Sequence, residues 1–151
     1  MEFALVLMFI ILPLVFGFIE GSVLLYKYVA LSNAAREGAR AGSIYLYVGD
    51  PGGSFAAPDA GRSAAVVTAV SGTLGPLMPG PPDCSGTSST TSCQISYGPS
   101  SAPIPDPLRS TDEITVVVSH THHLLIGALG GDIDIQARSS MRIEPSAVIM
   151  P

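Results

Sequence analysis

The sequence predicts an α+β protein: a long N-terminal helix, part membrane anchor and part stalk, carrying a small head of one further helix and an antiparallel sheet. Three observations predict it. Residues 3–19 carry no charged side chain, close to the ~20 apolar residues that a bilayer-spanning helix needs. Residues 23–47 contain no proline and repeat small residues at four-residue steps, a spacing that lets a second backbone approach closely. Two β-rich runs separated by a glycine-rich break occupy the last third of the chain. Residues 1–48 are accordingly assigned to anchor and stalk, and 49–151 to the head.

The 151 residues allow one modest domain beside the anchor. Apolar residues make up 47% and charged residues 13%, where soluble domains hold roughly a quarter charged. The net charge of −5 comes without any Lys/Arg cluster; Lys27, Arg36, Arg40 and Arg62 are scattered. Nucleic-acid binding, which calls for a basic patch, is not expected.

A cleavable signal peptide competes for the first segment. Its apolar run is too long for an h-region, no basic n-region precedes it, and the helical pattern continues past it. Orientation poses a conflict, because Lys27, Arg36 and Arg40 all follow the apolar run. Positive charge there would hold the head in the cytoplasm, whereas two cysteines and a hydroxyl-rich loop belong outside. A basic leader ahead of Met1, removed before the intact helix, resolves the conflict, so the sequence is expected to be a mature or truncated form.

Glu2, ahead of Phe3, places a carboxylate at the mouth of an apolar helix, costly in lipid and a functional candidate for that reason. The positive end of the helix dipole favours it. It either pairs with the α-amino group of a neighbouring subunit or is solvated among headgroups. Pro13 removes the hydrogen bond to Phe9 and is expected to kink or loosen the helix there. Gly17 and Gly21 lie four apart, with Glu20 the lone interruption before Tyr26.

Along the stalk, Ala30, Ala34, Gly38 and Gly42 share one face, with Ala35 and Ala39 beside it. Two readings stand: packing on neighbouring helices, or on the chain's own head, with different faces able to serve both. Arg36, Glu37 and Arg40 form a polar face. As one helix, residues 1–47 would extend roughly 70 Å, over twice a bilayer.

Residues 49–58 (GDPGGSFAAP) are a turn-rich break. Asp59 reads as the N-cap of a helix over residues 60–74, with Ala64, Ala65, Val67, Val70 and Leu74 apolar. A Pro/Gly/Ser/Thr-rich loop follows, then a short strand at 94–97. Residues 114–125 and 133–143 read as strands, with Ile133, Ile135 and Ala137 alternating against Asp134, Gln136 and Arg138.

Cys84 and Cys93 lack metal-ligand spacing; a disulfide closing a short loop is the reading in an oxidising compartment, against two free thiols. Ser88, Ser89, Thr90 and Thr91 sit in SGTSSTTS, able to carry O-linked glycans or to serve as a plain flexible loop.

No enzyme is expected. A phosphate-binding glycine motif, a nucleophile elbow and paired histidines on a helix are all missing. No cofactor is expected either. His120 and His122 share a strand face at chelating spacing, but two ligands do not close a metal site, and an exposed polar face is expected instead. Asp132 and Asp134 with Asp112 and Glu113 offer oxygen ligands for Ca²⁺, a weak signal.

Four segments carry a family resemblance: residues 2–7 (EFALVL), 16–20 (FGFIE), 31–41 (LSNAAREGARA) and 137–144 (ARSSMRIE). Through them the chain resembles the TadE-like pilus-assembly proteins, pseudopilins of tight-adherence (Flp-type) pilus systems. Most of the likeness lies in the first 42 residues. The resemblance implies a type IV pilin-like precursor cut by a prepilin-type peptidase, anchored in the cytoplasmic membrane and then delivered to a surface pilus. It gives Glu2 the role of the pilin glutamate that guides docking, although that glutamate usually stands several residues after the cut. It implies partners among identical subunits in a helical filament, other pilins and the assembly machinery. The expected function is a structural subunit assembling through Glu2, Phe3, Pro13, Gly17, Glu20, Ala34, Gly38 and Gly42 into a filament for adhesion; the alternative is a minor pseudopilin that primes or regulates assembly.

Overall fold

The structure, a computed structural model, describes residues 3, 6–45, 60–75, 78, 82, 84, 90–99, 112–124 and 131–144. Helix α1 runs unbroken over Leu7–Ser43. Helix α2 spans Ala60–Leu74, and three strands follow: β1 Thr91–Gly98, β2 Glu113–His123 and β3 Asp132–Arg142. The strands form one antiparallel sheet in the order β1-β2-β3, and both helices cover one of its faces. The expected α+β layout is the one observed.

Proline shapes the start of α1. Residues Leu7–Ile11 form a π-helical turn, with the Leu12 N–H donating to the Leu7 carbonyl, before α-helix resumes over Leu12–Ser43. Pro13 has no N–H for the Phe9 carbonyl, and its ring crowds that turn. The wider turn takes up the mismatch. The asparagine-poor, alanine-rich sequence beyond it favours helix throughout.

At its other end α1 stops where its carbonyls find new partners. The buried Arg62 of α2 donates from Nη1 to the Gly42 carbonyl, and the Glu144 N–H donates to the Ser43 carbonyl at 3.1 Å. A guanidinium there also meets the negative end of the helix dipole. The Tyr45 ring lies 5.7 Å from the same guanidinium, within cation–π range.

The core lies between α1, α2 and the sheet. From α1 come Ala30, Leu31, Ala34, Ala35 and Ala39; from α2, Val66, Val70 and Leu74; from the sheet, Cys93, Ile114, Val116, Val118, Ile135 and Ala137. In α2 the buried face is Arg62, Val66, Val70 and Leu74, spaced four apart. Of the residues expected to be apolar, Val70 and Leu74 are buried, Val67 and Ala65 half-buried and Ala64 exposed; Val66 and Arg62 complete the buried face. Alanines and valines resemble one another in hydropathy, and only contact with α1 selects among them.

The strands extend the expected ones at several ends, β1 most of all, since the hydroxyl residues Thr91 and Ser92 join the ladder opposite His120 and Ser119. Ile135 and Ala137 are buried as expected, while Ile133 is 38% exposed at the sheet's end. Asp59 and the break at 49–58 lie outside the described residues.

Candidate assembly helix and the polar chain at its membrane exit

Burial divides α1 in two. Every described residue from Val6 to Ile19 is exposed, and the first buried one is Glu20. The helix is long and apolar enough to cross a membrane, with a mean hydropathy of 2.3 in its most apolar window. Residues 3–19 measure roughly 25 Å along the axis, close to one hydrocarbon core. Glu20 therefore marks the level at which the exposed apolar run ends and the helix meets the head.

Small residues on α1 fall into two classes. At Gly17 and Gly21 an added Cβ would meet nothing within 4 Å. At Gly38 it would lie 2.7 Å from Val70 Cγ2 and 3.4 Å from Val116 Cγ1, and at Gly42 it would strike Ile114 and come 2.8 Å from Val66 Cγ2. Ala34, Gly38 and Gly42 thus seat the helix on its own α2 and β2. Of the two readings of that stripe, intramolecular packing accounts for its small side chains. Pro13 is exposed and Phe3 is 80% exposed; Glu2 lies outside the described residues.

On the sheet-facing side of α1, Glu20 and Lys27 stand two turns apart on one face. There they meet His122 and His120, which alternate on the inner face of β2. The Glu20 Oε1–His122 Nε2 distance is 2.6 Å, and Lys27 Nζ lies 2.8 Å from His122 Nδ1 and 3.1 Å from His120 Nε2. His120 Nδ1 is 2.8 Å from Thr91 Oγ1, and that hydroxyl donates to Met78 Sδ at 3.9 Å. Glu20 is 7%, His122 7% and His120 5% exposed. The expectation of an exposed polar strand face is corrected: only His123 is exposed, pairing with Asp132.

Hydrogen-bond polarity assigns the protons. A carboxylate only accepts and an ammonium only donates. His122 therefore donates from Nε2 to Glu20 and accepts at Nδ1 from Lys27, so it is neutral. His120 accepts at Nε2 from Lys27 and donates from Nδ1 to Thr91, and is neutral as well. Burial, then the Lys27 ammonium, holds His120 below the usual imidazole range. One carboxylate and one ammonium balance across an imidazole, which is what makes this much buried polarity tolerable.

The lysine occupies the point toward which both imidazoles aim, and among the described residues no three His, Cys, Asp or Glu side chains converge as metal ligands. The Ca²⁺ grouping is corrected by register. Asp132 pairs with His123, and Glu113 with Arg142 at the far end of the ladder, so the two acidic pairs stand roughly 30 Å apart.

Cys84 and Cys93 form a disulfide, with Cys93 in the core on β1. It ties the loop before β1 to the sheet. Reducing it, or Cys93→Ser with Cys84→Ser, is expected to cost about 2–3 kcal/mol for so short a closed loop. Chemical denaturation in detergent with and without reductant checks this; coincident curves would contradict it. Ser88 and Ser89 lie outside the described residues. Thr90 is exposed, whereas the Thr91 hydroxyl is buried against His120.

Residues 1–40 match the TadE-like protein family. The TadE-like segment takes in the apolar run, Glu20, Lys27 and the AAREGAR block, and stops short of the head. It suggests a role in tight-adherence pilus systems and fits a membrane-anchored, pilus-related protein. No curated protein and no solved structure matches the chain significantly.

Sequence reasoning took Glu20 as an interruption of the apolar run and as one of the assembly residues, and Lys27 as a scattered base. A signal was nonetheless present: opposite charges two turns apart on the face continuous with Leu31 and Ala34. What no local pattern shows is that β2 brings its histidines to that face.

Proposed function

We propose that the chain is a structural, non-enzymatic pilin-like subunit that assembles through α1 into an extracellular pilus. The observation that carries this reading is the exposed apolar surface from Val6 to Ile19, which has no partner among the described residues. Lipid covers such a surface before assembly, and helices of neighbouring subunits or other pilins cover it afterwards. Beyond Glu20 the exposed apolar side chains continue with Leu25, Tyr26, Tyr28 and Val29. With Ala34, Gly38 and Gly42 occupied by the head, the contact surface is this outer face together with Phe3, Pro13, Gly17 and the anchor. Removal of a leader by a prepilin-type peptidase, docking guided by Glu2 and delivery to the cell surface belong to the same proposal.

The TadE-like match favours a second reading, a minor membrane-anchored pseudopilin that primes or regulates a tight-adherence pilus. Mass spectrometry of fibres sheared from cells separates the two. Recovery of the leader-less chain as the dominant fibre protein is the result expected of the structural subunit. Retention in the membrane fraction, with fibres lacking it, would reject that reading and favour the pseudopilin.

A further inference from the structure

We propose that Glu20, His122, Lys27 and His120 form a proton-operated latch that holds the first head-contacting turns of α1 against the sheet, closed while His120 is neutral and released when it protonates. The inference goes beyond the assembly reading and does not depend on it, since every group belongs to a single chain.

The hydrogen-bond order leaves no neutral way to add a proton. The open lone pairs, Nδ1 of His122 and Nε2 of His120, are the two that accept from Lys27. Protonating either turns an acceptor into a donor facing an ammonium about 3 Å away and adds like charge in a buried setting. At His120 only opposition is adjacent: burial and Lys27, with His122 and His123 adding to it. From β3, Asp132 is engaged by His123, and Asp134 accepts from Thr121 at 2.7 Å on the outer side of the sheet. His120 is thus the group whose protonation breaks the chain.

The mechanics are suited to partial release. Glu20 and Lys27 are the terminal contacts of α1 on the sheet, while Ala34, Gly38 and Gly42 remain clamped by Val66, Val70, Val116 and Ile114 farther along. About two turns can lift without unfolding the core.

The sign follows from linkage. A histidine held below its ordinary value binds fewer protons folded than unfolded. Its contribution is therefore present above the unfolded value of about 6.5 and lost as pH falls below it. Amide hydrogen exchange on the full chain in detergent micelles tests the latch. Corrected for intrinsic exchange rates, protection over residues 20–27 is expected to drop about tenfold between pH 7.5 and 5.5, with residues 30–42 unchanged. The pair His120→Asn and His122→Gln keeps a donor and an acceptor at each site without titrating there, and is expected to hold protection constant. Unchanged wild-type protection, or a full pH response in the double variant, would overturn the latch. If the double variant does not fold, ¹⁵N spectra of the wild-type imidazoles decide. The expected result at pH 7.5 is a neutral Nδ1–H tautomer at His120 and Nε2–H at His122, and a charged ring at either position refutes the proposal.

Discussion

Gly42→Val is expected to unseat α1 from the head, the largest single-residue effect in the chain. A side chain at position 42 enters the seam between α1, α2 and β2, where a Cβ already collides with Ile114 and approaches Val66 to 2.8 Å. Neither neighbour has room to withdraw, since both are fully buried. The backbone cannot shift freely either, because the Gly42 carbonyl is the acceptor for buried Arg62. Overpacking of this kind costs about 3 kcal/mol or more. A better helix propensity than glycine's returns only a few tenths of a kcal/mol, so the clash decides the sign. Gly17→Val provides the control, since its surroundings are open and head stability should not change. Thermal unfolding of the full chain in detergent reads both. A Gly42→Val protein melting within about 1 °C of the wild type would refute the packing account, because 3 kcal/mol corresponds to roughly 10 °C in a domain of this size.

The second large effect is expected from Lys27→Met. The side chain keeps similar reach, but the cation balancing Glu20 across His122 is gone. A buried carboxylate then faces one neutral imidazole, and both histidines lose an N–H donor at once. Breaking a buried pair by removing one partner costs about 3–5 kcal/mol; the partial exposure of Lys27 places this case at the lower end. Adding Glu20→Gln should recover at least about 1 kcal/mol, because the two positions share one network and their effects do not add. Stability measured for both single variants and the double variant tests the coupling. Strict additivity would mean that Glu20 and Lys27 act independently, contrary to the observed chain of contacts.

Local pattern carried the coarse architecture. The charge-free run of residues 3–19 foretold the exposed anchor, since the bilayer requirement is one of length and hydropathy alone. The spacing of turn residues bounded α2 at residues 60–74, and β-branched runs located β2 and β3. Each of these depends on neighbours within a few residues. The family likeness also resides in that local stretch, within the first 40 residues.

Other features depended on residues distant in the chain. Which face of α2 is buried was set by α1, and the histidines of β2 became interior only because Glu20 and Lys27 arrived opposite them from about a hundred residues away. A histidine carries no intrinsic preference for burial, and its environment depends on whether a partner can balance its polarity. The sequence by itself determined the elements, the anchor and its length, because these follow from propensity and hydropathy along the chain. Tertiary structure alone decided that the small-residue stripe faces inward and that four scattered polar residues form one hydrogen-bonded chain, because burial and pairing are properties of surfaces brought together in space.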